Sequence, residues 1–169
     1  MTINPDEIPI TITTTAPDAL ELLSIIREDI SRGISPLLTR DDKGAKVMVS
    51  VVAQGVFLSA IAENKNGEHR FLDIPVNSVM EMFELKKAQY SSDKGGWLSM
   101  VLTVENDGFV MKTEYDYDRK IYSGNTPENW YIAPETETED YKSVWSDEEY
   151  FNESIMFPRP APFSWQTAD

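Results

Sequence analysis

The sequence contains no cysteine, which excludes disulfides, thiolate metal sites and thiol nucleophiles together. That composition suits a reducing compartment. Histidine is nearly as scarce: the one copy, His69, sits beside Arg70 without an acid or nucleophile at local spacing to orient its ring. No nucleophile-elbow pattern surrounds Ser24, Ser91, Ser92 or Ser99. Gly95-Gly96 and Gly108 read as turn glycines, and no glycine-rich phosphate loop leads into a helix. A non-catalytic chain is expected, with no catalytic residue, resident metal or cofactor. Long apolar runs are missing too: none approaches the ~18 residues of a membrane span. The start MTINPDEIPI lacks the basic and apolar blocks of a secretory signal. These absences predict a cytoplasmic protein that does not enter a membrane.

Basic residues are few relative to acidic ones. Fifteen Lys and Arg face 29 Asp and Glu over 169 residues, for a formal charge of −14. Nucleic acid is a poor direct partner for such a surface, because phosphate binding needs Lys and Arg. A basic protein is a better one, since complementary fields speed encounter and set orientation. The acid is also uneven: residues 114–153 carry 12 acids against 3 bases, so −9 of the −14 falls there. The plain alternative is that excess acid only keeps the chain soluble.

The length fits one domain, and 41% hydrophobic residues suffice for a core. Neither a repeat nor a composition break divides the chain. Residues 1–169 therefore read as a single domain, with an N-terminal arm at 1–15, a long acidic loop at 119–145 and a tail at 158–169. Pro17 suits a first helical position, with Thr15 as cap and Asp18 in the first turn. Leu20, Leu23, Ile26, Ile30 and Ile34 then recur at helical spacing up to Gly33 and Pro36. Two β-rich runs follow, Lys46 to Ala53 and Val56 to Ala62, around Gln54-Gly55. A short strand at His69 to Leu72 comes next. Pro75 then opens a helix to about Tyr90, whose apolar face is Val76, Val79, Met80 and Phe83.

The clearest local signal is Asn106-Asp107-Gly108 between Trp97–Glu105 and Phe109–Tyr117, an antiparallel hairpin. Alternation puts Leu98, Met100, Leu102 and Val104 on one face. On the returning strand it separates Phe109, Met111, Thr113, Tyr115 and Tyr117 from Val110, Lys112, Glu114, Asp116 and Asp118. One face is apolar and the other acidic, as for a sheet with a covered and a wet side. After the irregular 119–145, Ser146 with Glu149 forms a capping box for a last helix whose apolar residues are Tyr150, Phe151 and Ile155. The order α-β-β-β-α-β-β-loop-α predicts an α+β fold, a single antiparallel sheet with helices packed on one face.

Glu114, Asp116 and Asp118 line one strand face, and three readings compete for them. They are a solvated face, an acidic stripe for a partner, or ligands with Asp107 for a hard divalent cation. Calcium-loop spacing is missing. Trp130, Tyr131 and Trp145 lie in irregular chain among this acid. Aromatic anchors within a charged rim are what a protein interface uses. The partner-binding set is therefore Glu114, Asp116, Asp118, Trp130, Tyr131 and Trp145, while Trp97, Tyr115 and Tyr117 read as core.

The stretch GGWLSMVLTVENDGFVMKTEYDYD (Gly95 to Asp118) resembles the core hairpin of YezG-like immunity proteins: a Trp opens one strand, a turn with Asp or Gly follows, and a Tyr-Asp-Tyr-Asp run closes the next. EEYFNESIMFPRPAPFSW (Glu148 to Trp165) resembles the closing element of actinobacterial relatives, a Tyr-containing short helix leading into Phe-Pro-Arg and a Pro/Trp tail. Together these cover about a quarter of the chain. The loop 119–145 is longer than in compact members, and residues 1–15 have no counterpart. The resemblance implies an immunity protein, or antitoxin, that binds and neutralises a polymorphic toxin domain, often a basic nuclease, by stoichiometric occlusion. The rival expectation is a small-ligand or divalent-metal-binding module.

Overall fold

The computed structural model describes residues 18–124, 126–132, 136–138 and 141–166. The arm at 1–15, with the Thr15 cap and Pro17, lies outside the described residues, as do parts of the 119–145 loop and the end of the tail. Helix α1 (Ala19–Ile34) opens on Asp18, whose Oδ1 accepts from Glu21 N at 2.8 Å. Asp18 is thus the cap, not a first-turn acid. Its buried stripe is Leu22, Ile26, Asp29, Ile30, Gly33 and Ile34, at steps of three and four. Leu20, expected on that face, is 79% exposed, and Leu23 is only half-buried.

Strands β1 (Asp42–Val52), β2 (Gly55–Asn64), β3 (His69–Leu72), β4 (Ser99–Glu105) and β5 (Val110–Asp116) form one antiparallel sheet in the order β3-β2-β1-β4-β5. Helix α2 (Val79–Gln89) carries the chain from the β3 edge to β4, and α3 (Asp147–Met156) follows the long loop. The α+β architecture is as the sequence order predicts, and β1 lies at its centre, β-branched and almost wholly buried.

Cross-strand partners share a face, so the register sorts the sheet directly. Ala45, Val47, Val49 and Val51 of β1, Ala60 and Ala62 of β2, and Met100, Leu102 and Val104 of β4 pack with α1 and α2 in the larger core. Helix α2 begins at Val79, four residues after Pro75, which rotates its buried face to Met82, Leu85 and Lys86. Val79 and Met80 are exposed, contrary to the apolar face expected for them. The buried carboxylate of Asp29 ties the two helices: it accepts from Asn77 N at 2.9 Å and from Ser78 Oγ at 2.6 Å, at the start of α2.

The β4–β5 hairpin turns at Gly108, whose φ of +88° and contact with Ser35 leave no room for a Cβ. A register shift opposite Val104 adds one residue to β5. This bulge breaks the expected alternation. Val110 is buried with the helices, while Phe109 and Met111 are exposed; beyond the bulge Thr113, Tyr115 and Tyr117 keep the predicted helix-side face. Leu98, just before β4, departs from its expected neighbours and joins the opposite layer.

That opposite layer is a second core. Met48, Val52, Ile61 and Leu98 are covered by Ile121, Trp130, Trp145, Tyr150 and Phe163. The long loop doubles back to make this cover: Tyr122 N donates to Trp130 O at 3.0 Å, Ser123 N to Lys142 O at 3.0 Å, and Val144 N to Ile121 O at 2.9 Å. Among the described residues, the end of the face near Lys46 and Thr103 is left as an open concavity. No helix among the described residues is long and apolar enough to cross a membrane.

Candidate functional site

The residues expected to form a partner-binding stripe are dispersed by the fold. Glu114 is exposed on the open face of β5, and Lys112 pairs with it at 2.6 Å, holding its carboxyl below the usual range. Asp116 ends the strand and is committed to the following turn: its Oδ1 accepts from Asp118 N at 3.0 Å and Arg119 N at 2.7 Å. Asp118 lies beyond the strand, where its Oδ1 accepts from Arg159 at 3.2 Å and Ser164 N at 3.0 Å. Two of the three carboxylates therefore hold the turn and tail in place.

The aromatic members are corrected more sharply. Trp130 is 2% exposed and Trp145 8% exposed, so both are core rather than surface anchors. Trp145 Nε1 donates to Ser50 Oγ at 2.7 Å, and its ring fills the space that a side chain at position 55 would need. Tyr131 is half-buried at the rim, its hydroxyl 2.6 Å from Ser99 Oγ and its ring under Arg119. Burial pushes the Tyr131 phenol up. The sequence reading missed this because aromatics in aperiodic chain give no face, and the uncovered half of the sheet could not be seen to need a lid.

The proposed cation ligands do not meet either. Asp107 Oδ1 accepts from Phe109 N at 3.0 Å within the hairpin turn. Among the described residues no three His, Cys, Asp or Glu side chains are grouped to hold a metal ion.

The open end of the sheet forms a concavity of about 560 Å³ between Lys43, Lys46, Glu63, His69, Glu105 and Glu128, floored by Ile61 and Thr103. Its charges are mixed in sign. His69 lies across from Glu63 on the neighbouring strand. Among the described lining residues there is no Ser or Cys.

A different surface joins acid and apolar side chains. Helix α3 opens with the capping box predicted at Ser146 and Glu149. Tyr150 and Glu153 point inward and are buried. Burial pushes the Tyr150 phenol up to about 12. Glu153 Oε1 lies 2.5 Å from Lys86 Nζ and accepts from Ala53 N at 2.8 Å. Outward, Phe151 is 62% and Ile155 60% exposed, next to Met156 at 42%. Asp147 and Glu148 stand exposed at the head of this face, and among the described residues neither has a basic partner. Several basic residues are engaged elsewhere: Arg32, Arg70, Lys87, Lys120 and Arg159 each pair with another acid.

No family model, curated protein or solved structure matches the chain.

Proposed function

We propose that the protein is a non-catalytic immunity protein that acts in the cytoplasm, binding a basic toxin domain and neutralising it by stoichiometric occlusion. The observation that carries this reading is the uncompensated acid: a charge of −14, with Arg70 and Lys86 spent on the buried carboxylates of Asp42 and Glu153. A surface of that kind attracts basic proteins over long range and repels nucleic acid. The resemblance of the 95–118 hairpin and the 148–165 closing element to YezG-like immunity proteins points the same way. Occlusion needs a firm platform, and the two cores clamp the sheet from both sides.

The test is an affinity capture with the tagged full chain from lysate of the producing cell, at low and at high salt. The expected result is one basic protein retained in stoichiometric amount and released as salt screens the contact. Retention of nothing basic from lysate known to contain the candidate toxin contradicts the reading. A small-ligand module is the second reading, and the mixed-charge concavity beside Lys46 and Glu128 is what favours it.

A further inference from the structure

We propose that the outward face of α3 is the docking surface, and that it takes a basic protein segment which lays an apolar side chain into the groove beside Ile155 and Met156. This rests on the immunity reading and names the surface that serves it.

Three observations lead there. First, the helix spends its inner face entirely on the fold. Tyr150 packs in the second core, while Glu153 joins Lys86 and the Ala53 N–H. The helix is thereby fixed, and its outer residues do not turn inward. Second, Phe151 and Ile155 are four residues apart on one face, so their side chains adjoin. Large apolar side chains exposed together on a short helix are a costly surface for a chain with no partner. A groove of about 410 Å³ runs beside Ile155, between Ile155, Met156 and Asn152 on one wall and Val52, Gln54 and Gly55 on the other. Third, the charge around this face has one sign. The helix sequence DEEYFNESIM contains no basic residue, and Asp147 and Glu148 stand exposed at its head.

Charge complementarity selects the occupant. A second copy of this chain would bring acid against acid, with no base on the helix to offset the repulsion. An anionic lipid surface is disfavoured for the same reason. A Lys- or Arg-bearing segment with a neighbouring apolar residue satisfies both halves, the apolar anchor being the type of contact that dominates interface energies. A second exposed apolar patch, Leu20 with Phe109, has Arg27 beside its groove and serves as the control.

The experiment captures the basic protein with the wild-type chain, identifies it by mass and produces it separately as the probe. Its affinity is then measured for wild type, for Phe151→Asp with Ile155→Lys, and for Leu20→Asp with Phe109→Asp. Because the altered residues of α3 are exposed, its variant should melt with the wild type, which a thermal scan checks. The expected result is an affinity loss of at least about tenfold for the α3 variant and none for the control. Equal affinity for the α3 variant overturns the docking surface while leaving the immunity reading intact. Failure of the wild type to retain any basic protein overturns both. A wild-type dimer in sedimentation that the α3 variant converts to monomer assigns the face to self-association and also overturns the proposal.

Discussion

Lys86 Nζ and Glu153 Oε1 meet 2.5 Å apart with both side chains closed off from solvent. Lys86 also donates to Val51 O on the central strand, and its ammonium lies 4.7 Å from the centre of the Phe157 ring. One ion pair thus fastens α2, β1 and α3 together across 67 residues of sequence. Desolvation pulls Lys86 down to about 8 and pushes Glu153 up, each opposed by the charge of the other.

Removing one partner should therefore hurt far more than removing both. Glu153→Gln should cost about 3–5 kcal/mol, since it strands a buried ammonium. Lys86→Met combined with Glu153→Leu should fall within about 1–2 kcal/mol of wild type, because two desolvation penalties disappear with the attraction. Urea unfolding of the three proteins checks this. A double variant as unstable as Glu153→Gln would contradict it.

Asp42 gives a pH prediction. Its carboxylate receives the Arg70 guanidinium on both oxygens, at 2.5 and 2.9 Å, with help from Thr39 N at 2.8 Å. The Arg70 hydrogen bond leads in lowering it from 3.8 to about 2, against the opposing effect of burial. A depressed carboxylate stabilises the fold above its unfolded value and loses that contribution as pH falls through its folded value. Asp42→Asn should destabilise by about 1–3 kcal/mol at neutral pH. The gap to wild type should close between pH 3.8 and about 2. Unfolding followed from pH 7 to pH 2 checks it, and a gap that stays constant would contradict it.

The two tryptophans of the long loop should respond differently to the same change. Trp145 Nε1 is bonded to Ser50 Oγ, whereas the buried Nε1 of Trp130 has no hydrogen-bond partner among the described residues. Trp145→Phe should lose about 1 kcal/mol more than Trp130→Phe, reflecting the bond and the Ser50 hydroxyl left behind. Either residue changed to Ala should cost about 3–5 kcal/mol. If the Ala variants melt with the wild type, the tryptophans are not core.

Calcium or magnesium at millimolar concentration should leave the melting temperature unchanged, since the oxygens of Asp107, Asp116 and Asp118 serve backbone N–H groups and Arg159. A rise that saturates with metal would restore the cation-binding alternative.

Legibility in the sequence followed how local each determinant is. The Asn106-Asp107-Gly108 turn and the Ser146–Glu149 capping box are set by residues within four positions, and both appear where the sequence predicts them. The helix faces were less legible. Leu20 reads as core on spacing alone, but the buried stripe is displaced to the side of Leu22, Asp29 and Gly33, which leaves Leu20 in solvent. In α2 a buried Lys86 has meaning only once Glu153, far along the chain, comes to meet it. The bulge before Lys112 reverses Phe109, Val110 and Met111, which strict alternation misplaces.

The residues read as a partner surface are redistributed by the fold. Acid with apolar anchors was expected on β5 and the long loop, through Glu114, Asp116, Asp118, Trp130, Tyr131 and Trp145. The fold uses Trp130 and Trp145 to cover the sheet and Asp118 to hold Arg159. The same combination is exposed instead on α3, at Asp147, Glu148, Phe151 and Ile155. Phe151 and Ile155 read with Tyr150 simply as the apolar residues of this helix, and of the three only Tyr150 is buried.

Survival measures the central claim most directly. The basic protein captured by the wild-type chain is expressed from an inducible promoter in a sensitive host, with and without this chain at matched levels. Colony counts should collapse with the basic protein alone and return to the uninduced level once this chain is equimolar. Counts that stay collapsed at molar excess of the chain would contradict neutralisation by stoichiometric binding, and a basic protein that is harmless by itself would contradict the immunity reading as a whole.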